Sequence, residues 1–425
     1  MKKVLLSLLL VWVAFVCAYS QSSVAQCGGT SSVYPEIKGS AYYYPNDMTP
    51  FYISHLGRHG SRYPTSDKAL KSIYSILDEA FNEGMLTDAG SKLKDDVAQL
   101  LIQFKGHYGA LSSVGTAQQQ SIAIRCMERF PVLAYPNCRI NAISTYVPRA
   151  ISSMKAFMGK IQSVNATAVC TESHGKEYNS ILRFFDCNDN YVHYKQNGKW
   201  KKQYEHYLNK TIPADSVFSI FFKSGMNVDA SRKMKFAMDV MSAGAILQDV
   251  NTPINWSSYM SFSEWSSYWK VENLGQYLAK AASVVGEGLP VAIAWPLLDD
   301  FVNKADSVIN GTRKYDADFR FAHAETLIPF AALIGIEKAD TTVADIDDVF
   351  ECWKDYEISP MAANIQWIFV RDSLQKVWVR ILLNEHDARI SNLSTTRFPY
   401  YEWSKIVVYM REKAENARKL AVNIL

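Results

Sequence analysis

The sequence predicts an α/β sandwich: a mostly parallel central sheet flanked by helices, with an α-helical cap inserted into it. Two observations predict this. Short apolar stretches run through a loop into helical periodicity at three places, around residues 50–77, 140–159 and 314–335, and strands that alternate with helices read as units of a parallel sheet. Between about 161 and 300 the texture changes to Tyr, Trp, Met and Lys on helical spacing. The expected divisions are a signal segment at 1–20, a first part of the α/β domain at 21–160, the helical cap at 161–300, and the second part of the α/β domain at 301–425.

At 425 residues, 48% hydrophobic and 20% charged, the chain is long enough for a sizeable core and two domains. Lys2 and Lys3 precede an apolar run from Val4 to Cys17, and Ala18-Tyr19-Ser20 places small residues at −3 and −1 before Gln21. That is the pattern of a secretory signal peptide, so a periplasmic or secreted protein is expected. No later stretch is apolar enough to span a bilayer, so no stable membrane insertion is expected after cleavage. Removing Lys2 and Lys3, with no acid lost, takes the formal charge from +3 to +1. A near-neutral chain is a poor nucleic-acid binder, and a monomer is expected. Six cysteines remain, Cys27, Cys126, Cys138, Cys170, Cys187 and Cys352. In an exported protein they permit disulfides, with pairing left open. No Cys or His spacing suggests a metal site, and no cofactor is expected.

Residues 21–46 read as an irregular arm. Pro50-Phe51-Tyr52-Ile53 then reads as a short buried strand, and Leu70, Ile73, Tyr74 and Leu77 as one face of a helix capped by Ser66 or Asp67. Between them lies Arg58-His59-Gly60-Ser61-Arg62-Tyr63-Pro64. A strand-to-helix loop with free amides favours an anion, arginine forks match phosphate, and neighbouring cations hold His59 neutral, with a lone pair available as a nucleophile.

This string resembles the R-H-G-x-R-x-P signature of the histidine phosphatase superfamily, in its acid phosphatase and phytase branch. The resemblance implies that His59 becomes phosphorylated and that Arg58 and Arg62 hold the phosphate.

Further along, Thr87 or Asp88 caps a helix carrying Leu93, Val97, Leu100 and Leu101. Leu111 to Phe130 reads as a loop and a helix ended by Pro131. A strand at Ile140 to Val147 enters Pro148-Arg149-Ala150, and the resemblance makes Arg149 a third phosphate arginine. In the helical stretch, the stripe Met234, Met238, Met241, Ala245 and the residues Trp265, Trp269 and Leu274 read as core. Ser180 to Cys187 resembles a cap segment of the inositol phosphate phosphatases, which makes Arg183 a substrate contact. Lys195, Lys199, Lys201 and Lys202 surround Trp200 and are candidates to face a polyphosphate.

A strand over 314–322 ends at His323-Ala324-Glu325, followed by a helix that stops at Gly335. His-Ala-Glu, with Met361 to Ile365 and a strand from Val377 to Leu383, resembles the multiple inositol polyphosphate phosphatase subgroup. The resemblance implies that His323 joins the phosphate site and that Glu325 is the general acid. His55 and His386 read as structural, and the acidic run 337–351 as a solvated helix end. The implied substrate is a small-molecule polyphosphate, inositol hexakisphosphate and its lower esters. A broad acid phosphatase acting on sugar phosphates or nucleotides, and an exported phosphate-ester binder without turnover, are the alternatives.

Overall fold

The computed structural model describes residues 23–37 and 44–423; the expected signal peptide lies outside them. Eight strands form one mixed sheet in the order β3-β2-β4-β1-β5-β6-β7, with β8 pairing β6. β1 (Met48–Arg58), β2 (Arg139–Ser144), β3 (Val169–His174) and β4 (Ala317–Ala322) are parallel to one another. β5 (Asn364–Asp372), β6 (Val377–Leu383), β7 (His386–Asp387) and β8 (Tyr400–Glu402) add on antiparallel.

Alternation along the strands sends side chains to two helical layers. Phe319 and Phe321 of β4 and Ile53 of β1 pack with α3 (Ser113–Arg129) and α4 (Pro148–Val164), through Ile122, Phe157 and Ile161. Tyr52, Leu56, Trp367 and Phe369 face the other layer, which includes α1 (Lys68–Asn82) and α2 (Asp88–Gln103). His55 is buried beside the rings of Phe157, Phe319 and Phe321, and among the described residues neither ring nitrogen has a partner. Burial, then Arg320, pulls it down to about 3, so it is a neutral core residue.

The first strand is longer than its apolar core suggested and carries Arg58 as its last residue. Thr87 caps α2 by accepting from the Gly90 amide at 3.0 Å. Asp67 stands at the N-cap of α1 without a capping hydrogen bond; it pairs with Lys71 instead. The arm read as irregular contains a 3-10 helix, Val24–Ser31. Among the described residues the six cysteines are all free; Cys27, Cys126 and Cys138 are buried and Cys187 and Cys352 exposed.

The stretch read as wholly helical begins with the edge strand β3, whose Cys170 pairs in register with Ile140. Beyond it lie α5 (Asp189–Asn197), α6 (Trp200–Thr211), α7 (Ala214–Phe221), α8 (Ala230–Ala245) and α9 (Phe262–Lys280). Met241 and Ala245 of α8 and Trp265, Trp269 and Leu274 of α9 are buried, with Met234 and Met238 packed at the edge of the same core. α10 (Trp295–Ile309), α11 (Ala324–Leu333) and α12 (Trp403–Asn423) complete the layer over the sheet. Gly335 sits at φ +79° and ends α11 as a left-handed cap. Among the described residues no single helix is long and apolar enough to cross a membrane.

Candidate active site

Three parallel strands end together, and the candidate residues leave from their carboxyl ends, where open α/β sheets bind ligands. In the register of β1 on β4, Arg58 lies opposite Ala322. The His59 amide donates to the Ala322 carbonyl at 3.0 Å, so His59 and His323 follow as neighbours, with ring centroids 5.5 Å apart. β2, on the far side of β4, leads through Thr145 into α4, and Arg149 stands in the first turn of that helix. Arg58, His59, Arg62, Arg149 and Glu325 all line one cavity of about 570 Å³.

The loop after β1 is pressed against α3. A Cβ on Gly60 would lie 2.5 Å from the Gly115 carbonyl oxygen and 2.7 Å from its Cα. Both contacts are backbone, so they cannot swing aside. The Gly60 amide also donates to Ser153 Oγ at 3.1 Å, and that hydroxyl donates to the Arg149 carbonyl at 2.8 Å. The nucleophile loop and the Arg149 helix are therefore one unit. Gly60→Ala is expected to displace both and to destabilise the protein by about 1–3 kcal/mol, the scale of overpacking, with most activity lost. Thermal denaturation beside phosphate release checks this.

Hydrogen bonds fix the two tautomers. His59 Nδ1 lies 3.0 Å from the Gly60 carbonyl, which only accepts, so Nδ1 donates and Nε2 keeps its lone pair. His323 Nε2 lies 3.2 Å from Arg183 Nη1, which only donates, and 3.1 Å from Thr145 Oγ1. The His323 proton therefore sits on Nδ1, which is buried and has no partner among the described residues. Burial, then Arg58 and Arg149, holds His59 well below its ordinary value. Burial likewise takes His323 down to about 3. Both rings are neutral throughout the mildly acidic range.

Arg58 Nη1 donates to the carbonyls of Thr30 and Ser359, at 2.5 and 2.6 Å. Asp355 secures this clamp by accepting from the Thr30 amide at 3.0 Å and from Trp269 Nε1 at 3.0 Å. The Nε atoms of Arg58, Arg149 and Arg183 are buried and find no partner among the described residues. Burial lowers Arg58 and Arg149 to about 10 each, as does their mutual proximity with Arg62. Crowded cations and unpaired donors of this kind suit an anion that accepts from several of them at once.

Glu325 stands in the first turn of α11. Burial pushes its carboxyl up, but Lys280 outweighs that and holds it well below the usual carboxylate range. Lys280, from the end of α9, donates to Glu325 Oε1 at 2.9 Å. It carries no motif and escaped the sequence reading, as did Thr30, Ser359 and Asp355. Asp249 also escaped it: this buried residue after α8 accepts from Ser61 Oγ at 2.5 Å and ties the cap to the nucleophile loop. Burial raises Asp249 to about 7.

Arg183 reaches the site at His323, braced by Asp186 and stacked over Phe185 and Tyr146. Lys195, Lys199, Lys201 and Lys202 do not line the cavity. Trp200 is the residue turned inward there, which leaves Lys199, Lys201 and Lys202 exposed, while Lys195 lies over Tyr191 and near Asp186. Among the described residues no three or more His, Cys, Asp or Glu gather as a metal site would require.

The whole fold is similar to that of the multiple inositol polyphosphate phosphatase of Bifidobacterium longum, solved with inositol hexasulfate. The two share 21% identity and a TM-score of 0.78 over 90% of this chain and 96% of that one. It is also similar to the phytase of D. castellii (16% identity, TM-score 0.72, 92% and 86% covered). The Hafnia alvei phytase is more distant, at 12% identity and a TM-score of 0.51 over 88% and 99%. No curated protein sequence matches the chain. Residues 53–384, which run from the middle of β1 to the turn after β6, match the model of the histidine phosphatase superfamily (branch 2). With the R-H-G loop at the end of β1 and His323 beside it at the end of β4, the chain is a hydrolase belonging to branch 2 of the histidine phosphatase superfamily.

Proposed function

We propose that the protein is an exported phosphomonoesterase that hydrolyses inositol hexakisphosphate and lower inositol polyphosphates through a phosphohistidine. The observation that carries this is the meeting of a neutral His59, its Nε2 free, with the unpaired donors of Arg58, Arg149, Arg183 and His323. Phosphoryl transfer needs charge neutralised on three oxygens, an in-line nucleophile and a protonated leaving oxygen. Arg58, Arg62, Arg149 and His323 take the scissile phosphate, each charge-assisted contact contributing about 1.5–3 kcal/mol. His59 Nε2 attacks phosphorus as the ester P–O bond breaks, and Glu325, protonated once the bound phosphate raises its carboxyl, gives its proton to the departing alkoxide. Water then attacks the phosphohistidine, Glu325 takes back a proton, and phosphate leaves.

The polyphosphate substrate is supported by the size of the cavity, by Arg183 beside His323, and by the inositol hexasulfate bound to the B. longum enzyme. The signal-like N-terminus supports export, and the soluble polyanion needs no membrane, nucleic acid or second subunit. The chemistry draws on protein groups alone. A broad acid phosphatase would run the same chemistry on sugar phosphates or nucleotides.

The test is phosphate release in EDTA from inositol hexakisphosphate, a sugar phosphate and an aryl phosphate. Fast release from the hexakisphosphate is expected. Release from the simple esters alone would favour the broad phosphatase, and none from any ester would leave a binder.

A further inference from the structure

One face of α9 is built for the cavity. Tyr268, Glu272, Gln276 and Lys280 recur every fourth residue and line it together. At the end of this row Lys280 Nζ is held between Gln276 Oε1 at 2.6 Å and Glu325 Oε1 at 2.9 Å. Its side chain is only 13% exposed. It stands on the last residue of the helix, where the macrodipole favours a cation. The contact joins the cap to the first turn of α11, so Glu325 is oriented by a group from another layer of the molecule.

We propose that Lys280 is a positioning residue for hydrolysis, holding the Glu325 carboxyl at the cavity and deciding how readily it hands over and takes back its proton. This rests on Glu325 being the acid of the reaction proposed above. The two half-reactions make opposite demands on that carboxyl. Forming the phosphohistidine consumes its proton, and hydrolysing it needs the bare carboxylate to accept one from water. The Lys280 ammonium group, 2.9 Å from Glu325 Oε1, favours the carboxylate.

Other charged or titratable groups face Glu325: His323 two residues before it, Arg58, Arg62 and Arg149 from the catalytic loops, and Tyr191 from α5. His323 is neutral, and the three arginines are compensated by the phosphate they hold. Lys280 alone among these cations remains directly paired with Glu325 when substrate is bound. Its other carboxyl neighbour, Glu272, is raised to about 7 by burial and then Asp355. It is therefore protonated in acid and does not compete for the ammonium group.

The experiment compares Lys280→Met, Lys280→Arg and the unaltered enzyme by steady-state pH profile on inositol hexakisphosphate, and by trapping phosphoenzyme at acidic pH. Losing an adjacent cation raises a carboxyl by about 1–3 units, so both limbs of the kcat profile of Lys280→Met are expected to move upward together by that amount. Phosphohistidine then accumulates at acidic pH, where hydrolysis has become the slow step. Lys280→Arg restores the original limbs. A raised KM with unmoved limbs would overturn the inference in favour of a plain substrate contact. A uniform fall in kcat at every pH, or a lowered Tm without a shifted profile, would overturn it in favour of a structural tie. If the unaltered enzyme releases phosphate with no trappable phosphohistidine, the proposed mechanism itself fails, and that result is visible before any variant is compared.

Discussion

His59→Ala is expected to lower phosphate release by at least about 10⁴-fold, the scale on which a covalent mechanism loses its nucleophile, and to leave no phosphoprotein. The fold should survive, because the His59 side chain makes one hydrogen bond, to the neighbouring Gly60 carbonyl, and the strand pairing around it is made by backbone. Binding should survive too, since the arginines stay clamped. The variant should therefore retain a Kd for inositol hexakisphosphate near that of the intact protein, read by calorimetry, while turning nothing over. Residual turnover within tenfold of the intact enzyme would remove His59 from the chemistry. The pH behaviour carries the same signature. Because burial and the cations keep the ring neutral well below its ordinary value, the nucleophile is not lost as the solution is acidified through pH 6.5, and the alkaline limb belongs to the acid.

Glu325→Gln is expected to cost about 10²–10⁴ in rate, the usual worth of a general acid–base, and the loss should depend on the leaving group. An inositol alkoxide cannot depart without a proton, whereas an aryl oxide can. The first half-reaction should fall steeply on inositol hexakisphosphate and little on an aryl phosphate. The second half-reaction loses its base with either ester. With the aryl ester, phosphohistidine should therefore build up in a burst and decay slowly, which rapid-quench measurement at neutral pH reads directly. An equal loss on both esters, with no burst, would move the proton transfer to another group. Glutamine keeps the shape of the side chain and an oxygen for Lys280 to donate to, so the loss reports the proton rather than the packing.

The R-H-G loop and the His-Ala-Glu loop were legible because each is a local strand-to-helix junction with its own periodicity on both sides. What escaped is what tertiary meeting creates. β5 is buried on both faces and carries Asn364 and Gln366 inside, so beyond its first residues it shows neither alternation nor a clean apolar run. β3 has the opposite difficulty, an edge strand of Val-Cys-Thr-Glu-Ser-His with most of its side chains turned outward. Arg58 is clamped by two backbone carbonyls, and a carbonyl has no sequence signature. Lys280 looks like any helix-terminal lysine until α11 is brought to it. The cap lysines show the converse: a basic run is conspicuous in sequence, but Trp200 takes the one inward position among them.

That clamp also bears on when the enzyme becomes active during its own synthesis. Arg58 is held by the Thr30 carbonyl 28 residues before it and by the Ser359 carbonyl 301 residues after it. β1 itself finds its neighbours only in β4 and β5, late in the chain. Contacts of such long sequence separation form slowly, because loop closure precedes any stabilisation they bring. A growing chain therefore carries its histidine and first arginines for most of its length without the frame that aims them. The active geometry therefore forms only when the segments carrying Thr30, β4 and Ser359 have all been brought to Arg58.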